Sequence, residues 1–285
     1  MGIRFSKVTF AYYRPRKKQN IRYILQNINL QISPKDEFIA IVGHTGSGKS
    51  TLVQMMNALL LSIEGEVELF QNKITPMLKL KPIRQKVGLV FQFPEYQVFE
   101  ENVKKEIMFG PKNFGMPNLE KTAQAAAEVM GITDLLDRSP FTLSGGQLRK
   151  VAIASILATN PEVLILDEPT VGLDPLAKRE LLNFLKKLHD EYHKTIILIT
   201  HDMEVVSHYV ERVIVLKQGQ IIFDGDKKQL FAKEDLMETY NLNYPNTVSI
   251  LRALANKFHV DLDVNKHSIN DAYQEICEKF GEDHE

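Results

Sequence analysis

The chain has 285 residues, 44% hydrophobic and 25% charged, ordinary values for a globular protein long enough to bury a sizeable core in one large domain or two modest ones. Lys and Arg number 35 against 36 Asp and Glu, a net charge of −1 that argues against nucleic acid as a partner, and the single cysteine, Cys277, excludes an internal disulfide. No apolar run approaches the ~18 residues needed to cross a bilayer, and no secretory pattern opens the chain, so a cytosolic polypeptide is expected unless a partner holds it at a membrane.

The first predicted elements are strands over Ile3–Tyr13, Ile24–Ile32 and Gly65–Phe70. Ile3, Phe5, Val8 and Phe10 supply the buried face of the first. That pattern outweighs the match of Met1-Gly2-Ile3-Arg4-Phe5-Ser6 to a myristoylation signal, which fixes only two positions. Arg14–Asn20, turn-rich and basic, reads as a solvated hairpin tip, with contact to phosphates or lipid headgroups as the alternative. Phe38-Ile39-Ala40-Ile41-Val42 is apolar throughout, as a strand buried on both faces of a parallel sheet requires.

The next eight residues, Gly43-His44-Thr45-Gly46-Ser47-Gly48-Lys49-Ser50, match G-x-x-x-x-G-K-[ST] between that strand and a helix starting near Lys49. The glycines let successive N–H groups turn inward around phosphate oxygens, and the helix adds its positive end. Lys49 is expected at the β- and γ-phosphates and Ser50 on Mg²⁺, with Thr51 beside them and His44 as a spacer in the cradle.

The segment from about residue 83 to 159 reads mostly helical. Asn118–Met130 is Ala-rich and stops at Gly131, while Leu148–Ala158 is apolar on nearly every face and reads as a buried helix. Before the latter stands Leu143-Ser144-Gly145-Gly146-Gln147: a hydroxyl, unpaired amides and a helix dipole form a second anion-binding device, although an ordinary N-cap uses the same residues. Val163–Leu166 is a strand ending in Asp167-Glu168, which suits Asp167 to hold a metal and Glu168 to orient or deprotonate water. Strands at Thr195–Thr200 and Arg212–Leu216 and a hairpin at Gln218-Gly219-Gln220 complete an α/β alternation. Beyond about residue 228, Val248, Leu251, Leu254 and Phe258 share one helical face, and Ile269, Ala272, Tyr273, Ile276 and Phe280 another. Two such helices are expected to need the core or another subunit to bury their stripes.

In the order and spacing of these motifs, residues 3–228 resemble the ATP-binding cassette (ABC) ATPases, whose signature is the Leu143–Gln147 pentapeptide. The resemblance implies an α/β fold with a RecA-like mixed sheet, an antiparallel β subdomain and a helical signature subdomain (about 83–159) over residues 1–228, then a small helical C-terminal extension (229–285) that contacts other subunits. It implies that Tyr12, or adjacent Tyr13, stacks on adenine. Gln92 becomes the Q-loop contact to Mg²⁺ and water, Gly172-Leu173-Asp174 the D-loop and His201 the γ-phosphate switch. Lys49, Glu168, Gln92 and His201 would form the catalytic set, Asp167, Ser50 and Gln92 the metal set. It also implies that the signature of one subunit closes over ATP held by the phosphate loop of another, identical or paralogous.

A finer resemblance lies in Val87–Glu95, Gln97–Glu101 and Phe109–Gly115, which are similar to the ATPases of energy-coupling factor (ECF) transporters, best to the second of their two paralogues. It implies an importer of vitamins or transition-metal ions at the cytoplasmic face of the membrane, with a second ATPase subunit, a transmembrane coupling subunit and, indirectly, a small substrate-binding membrane subunit. Phe93, Pro94, Tyr96, Val98 and Phe99 would line the groove for the coupling helix. The rivals are the ATPase of a conventional importer with a separate binding protein, a cobalt or nickel ECF importer, and a non-transport ABC ATPase. The last would carry a coiled-coil insertion or a second cassette, and neither is found here.

Overall fold

A computed structural model describes residues 2–13, 21–93, 96–233, 237, 239, 242–266 and 268–281. The basic loop Arg14–Asn20 and Pro94 lie outside them. The strands are β1 (Ile3–Phe10), β2 (Leu25–Ile32), β3 (Phe38–Val42), β4 (Glu64–Leu69), β5 (Asn72–Lys73), β6 (Val87–Val90), β7 (Val163–Asp167), β8 (Thr195–Ile199), β9 (Arg212–Lys217) and β10 (Gln220–Asp226). They form two sheets: an antiparallel four-stranded one, ordered β2-β1-β4-β5, and a six-stranded one, ordered β10-β9-β3-β8-β7-β6. In the latter, β6, β7, β8, β3 and β9 are parallel and β10 is antiparallel.

The apolar run of β3 shows why the sheet is covered on both faces. Phe38, Ala40 and Val42 point into one core with the helices, whereas Ile39 and Ile41 point into a second core shared with the four-stranded sheet. Helix α1 (Lys49–Met56) packs into that second core through Leu52, Val53, Met55 and Met56. Helices α3 (Val103–Phe114), α4 (Leu119–Met130) and α5 (Gly145–Leu157) pack against one another on the opposite side, and α6 (Pro175–Tyr192) and α7 (Met203–Tyr209) complete that layer. Gly131 ends α4 in the left-handed region, as its position after the Ala-rich run predicts.

Several boundaries differ from the sequence expectation. β1 stops at Phe10 rather than Tyr13, and its phase slips at a bulge at Lys7 (φ 51°), which is why Phe5 and Val8, three residues apart, are both buried. Within the span expected to be helical, Val87–Val90 is a strand at the edge of the six-stranded sheet, in register with Val163–Leu166. The core also extends past residue 228: α8 (Lys227–Phe231) buries Leu230 and Phe231, and Met237 joins them. The helices Asn246–Phe258 and Ile269–Phe280 do not depend on the core alone. They close a small cluster of their own around Leu251, Leu262 and Ala272, with Phe258 and Phe280 edge to face at 5.3 Å. Arg252 Nη2 donates to the Phe231 carbonyl at 3.1 Å and ties the cluster to the main body. No helix among the described residues is long and apolar enough to cross a membrane.

Candidate nucleotide site and its signature turn

Register alone gathers most of the site. Ile41 of β3 and Asp167 of β7 both pair with Ile199 of β8, and Val90 of β6 pairs with Leu166. The loops leaving these strands, carrying Gly43–Ser50, Glu168, Thr200–His201 and Gln92, therefore emerge along one sheet edge. That is the carboxyl edge, where open α/β sheets bind ligands.

The glycine loop needs its first glycine for a steric reason. Gly43 has φ 142°, and a Cβ there would lie 2.1 Å from the Leu216 carbonyl oxygen of β9. His44, Thr45 and Gly46 face solvent, and Ser47 is buried. Gly48, in the left-handed region, leads directly into α1. Lys49 folds back over the loop, its Nζ donating to the carbonyls of Gly43 (2.6 Å) and His44 (3.0 Å). Burial pulls its ammonium below the usual lysine range, against the opposing attraction of Glu168 and Asp167.

Asp167 ends β7 largely buried. Burial pushes its carboxyl above the usual range, while a hydrogen bond with Ser50 and the nearby Lys49 pull the other way. Carboxylate and hydroxyl are hard oxygen donors, the chemistry Mg²⁺ takes when phosphates complete its shell. Glu168 is held in the left-handed region (φ 46°), with its amide donating to the Ile199 carbonyl at 3.0 Å. Its Oε1 lies 2.9 Å from His201 Nδ1, and its Oε2 is buried without a partner among the described residues. A carboxylate oxygen left in this way keeps its capacity to accept from a hydrogen-bond donor. His201 is mostly exposed, so it carries the edge of the site outward.

Tyr12, not part of β1, is fixed to the same edge: its hydroxyl lies 3.0 Å from Thr51 Oγ1, and its ring stands edge to face on Phe10 at 5.0 Å. Thr51 itself is buried on α1.

Ser144 caps α5 with a reciprocal capping box. Its Oγ accepts from the Gln147 amide at 3.3 Å, and Gln147 Oε1 accepts from the Ser144 amide at 3.1 Å. Ser144 and Gly145 are exposed, and the amides of Gly145 and Gly146 have no acceptor among the described residues. No hydrogen bond among those residues joins this turn to the glycine loop. Asp174 caps α6 through two 2.9 Å bonds from the Leu176 and Ala177 amides. Sequence reasoning missed Arg149: buried on α5, it donates to the Pro169, Val171 and Gln92 carbonyls. The available signal was a cation inside an apolar helix, which must find acceptors.

Val98, expected in a coupling groove, is buried in the main core. Phe93, Tyr96 and Phe99 of that segment are exposed, with ring pairs Phe93–Tyr96 at 5.9 Å and Phe99–Phe109 at 4.6 Å.

A glycine loop between strand and helix, with an acid pair ending a neighbouring parallel strand, defines a P-loop nucleoside triphosphatase. A family model described as ABC transporter matches residues 25–171. A relative from Latilactobacillus sakei, an energy-coupling factor transporter ATP-binding protein called EcfA2, is 47% identical over 263 residues, covering 90% of this chain and 89% of its own. Among solved structures, cbiO1 of Clostridium perfringens, part of the ABC transporter complex cbiONQ, superposes with a TM-score of 0.72 at 32% identity, covering 90% of this chain and 98% of that one. The ATP-binding cassette MJ0796, solved as a dimer bound to ADP and Pi, gives 0.70 at 31% identity, covering 79% and 98%. This chain belongs to the ABC transporter ATPases, the family that binds and hydrolyses ATP to drive transport.

Proposed function

We propose that this chain is the second-type ATPase of an ECF importer of vitamins or other micronutrients, acting as one half of a head-to-tail cassette pair at the cytoplasmic face of the membrane. The observation that carries the mechanism is the Ser144–Gly146 turn at the start of a 13-residue helix: Ser144 and Gly145 are exposed, and among the described residues the Gly145 and Gly146 amides have no acceptor and the turn makes no hydrogen bond to the chain's own glycine loop. Such a device suits the γ-phosphate of a nucleotide held by a second cassette. The dimeric MJ0796 structure and the EcfA2 relatives support the pairing.

In this reading the amides of Gly43–Ser50 and the Lys49 ammonium hold the β- and γ-phosphates, and the Tyr12 ring covers the adenine side of the cradle. Ser50, Asp167 and Gln92 would hold Mg²⁺, which when bound would supply neutralisation of charge on the phosphate oxygens. Glu168 takes the proton of the attacking water or orients it, and His201 steadies that carboxylate and reaches toward the γ-phosphate. Ser144 and its amides grip only a triphosphate, so the closed pair is favoured before hydrolysis and released after it.

The exposed Phe93, Tyr96 and Phe99 serve as the seat for the transmembrane coupling subunit. Their presentation has a physical cause: the buried carboxylate of Glu106 on α3 accepts from the Phe99 and Glu100 amides at 2.9 Å each, pinning the loop with its rings outward. Exposed Ile269 and Tyr273 on the last helix suit a second subunit contact.

Affinity purification of the tagged chain from detergent-solubilised membranes tests this reading. It is expected to retrieve a second cassette, a coupling subunit and a small substrate-binding membrane protein. Replacing Phe93, Tyr96 and Phe99 together by Ser is expected to lose the membrane subunits while preserving hydrolysis by the cassettes. Recovery with a separate soluble binding protein and no small membrane subunit would point to a conventional importer instead.

A further inference from the structure

Arg149 sits five residues after Ser144 on α5, about 7.5 Å along the helix axis. It is 9% exposed, and its guanidinium reaches two different loops. Nη1 donates to the carbonyls of Pro169 (2.8 Å) and Val171 (2.5 Å), and Nη2 donates to the carbonyl of Gln92 (3.2 Å). Pro169 directly follows Glu168, and the Val171 amide donates back to the Glu168 carbonyl at 3.3 Å, so the two carbonyls belong to the turn that sets the Glu168 backbone. Gln92 is the second residue of the loop leaving β6.

Beside this fork, packing between α5 and α6 is open. A cleft of about 560 Å³ is lined by Gly146, Gln147, Arg149, Lys150, Leu173 and Phe184. Leu148, Val151 and Ala152 of α5 share a buried core with Val90 of β6 and Leu166 of β7, and the guanidinium adds a directional link from the same helix to the two loops beyond those strands. A planar fork with several donors can hold carbonyls in two loops at once; an ammonium is a point charge and cannot reproduce that geometry.

We infer that Arg149 is a positioning residue that couples the two nucleotide sites to which this chain contributes: when Ser144 engages the γ-phosphate bound to the partner cassette, α5 moves as a rigid unit and Arg149 sets Gln92 and Glu168 at the chain's own phosphate loop. This rests on the assignment of Ser144 as a ligand to the partner's nucleotide. Because Arg149 is buried and its guanidinium is directed at main-chain carbonyls, the inference assigns it an effect on turnover and not on ATP capture.

The test uses the full transporter complex carrying Arg149→Lys or Arg149→Gln in this chain. Steady-state hydrolysis is measured against ATP concentration, and a fluorescent ATP analogue is titrated into the isolated chain. For Arg149→Gln, analogue affinity is expected to stay within about twofold of the parent while kcat falls about tenfold or more, with KM little changed. Arg149→Lys, with charge but no fork, is expected to lie nearer to Arg149→Gln than to the parent. The inference is overturned if kcat of Arg149→Gln stays within about twofold of the parent, if the loss tracks weaker nucleotide binding, or if Arg149→Lys restores full turnover. Should the Gln variant fail to fold, the Lys variant decides by the same criteria. Ser144→Ala in the same assay separates the two claims. If it hydrolyses normally, the signature assignment itself fails; if it is inactive while the Arg149 variants are normal, only the coupling fails.

Discussion

Gly145→Ala separates what the signature turn does for the chain from what it does for the nucleotide. A Cβ at Gly145 meets no atom of the described residues within 4 Å, and the residue opens α5 without a left-handed φ, so nothing among those residues demands glycine there. Alanine is the better helix former by about 0.8–1 kcal/mol in helix interiors and less at a first helical position. A gain of about 0.5 kcal/mol follows, raising the melting temperature by about 1–2 °C for a chain of this size. The amide beside that new methyl is one of the two left without an acceptor, so the methyl obstructs the approach of a phosphate oxygen. Losing one such preorganised donor costs about 10²–10³ in turnover. Thermal unfolding without nucleotide and steady-state hydrolysis by the cassette pair measure the two effects. A variant equally or more stable but at least about a hundredfold slower agrees with a phosphate-binding turn. Turnover within about threefold of the parent would refute it, and so would a stability loss above about 1 kcal/mol, which would make the glycine structural. Gly43 offers the contrast: with a carbonyl oxygen 2.1 Å from the added Cβ, its alanine variant is expected to lose about 1–3 kcal/mol of stability.

Lys49→Ala removes a charge-assisted donor to phosphate and is expected to weaken fluorescent-nucleotide binding about tenfold or more, with no measurable turnover. Glu168→Gln keeps the shape of the site but not its proton acceptor. It is expected to bind ATP normally, lose about 10²–10⁴ in turnover and accumulate as a closed pair on gel filtration; normal turnover would remove Glu168 from its role. Burial alone would raise the Asp202 carboxyl, but Lys178 and the Val205 and Glu204 amides outweigh it and hold that group below the usual range. Its folded pKa is thus below its unfolded one, so its contribution to stability is present above about pH 4 and lost as pH falls through the folded value. The melting-temperature gap between parent and Asp202→Asn is expected to close below about pH 4, and a gap that stays constant there would contradict the ion-pair account.

How much of this was legible in the sequence depended on how burial marks each element. β3, β7 and β8 are buried on both faces, so their runs are apolar apart from Asp167 and Thr195 at strand ends, and their limits could be read nearly to the residue. β6 is only four residues long and leaves α2 (Lys81–Lys86) without a turn signal, so it merged with the helical stretch around it. Val98 and Phe99 are neighbours of similar character, and only the packing of α3 and its Glu106 tether separates the buried one from the exposed one. At the site, the glycine loop, the acid pair and the signature were legible because backbone geometry and metal chemistry restrict those residue types. Arg149 was not, because its acceptors are main-chain carbonyls of residues 57 and 20–22 positions away, and carbonyls leave no trace in side-chain identity. The two C-terminal stripes were legible as faces, whereas their mutual pairing depends on Leu262, which belongs to neither.

The central claim concerns where Ser144 lies when ATP is bound. The direct measurement is an experimental structure of the complex, with Glu168→Gln in this chain and its equivalent in the partner cassette, trapped with ATP. Ser144 Oγ and the amides of Gly145 and Gly146 are expected at hydrogen-bond distance, about 3 Å, from the γ-phosphate seated in the partner's glycine loop. A triphosphate-loaded pair in which Ser144 is remote from every γ-phosphate would contradict the account.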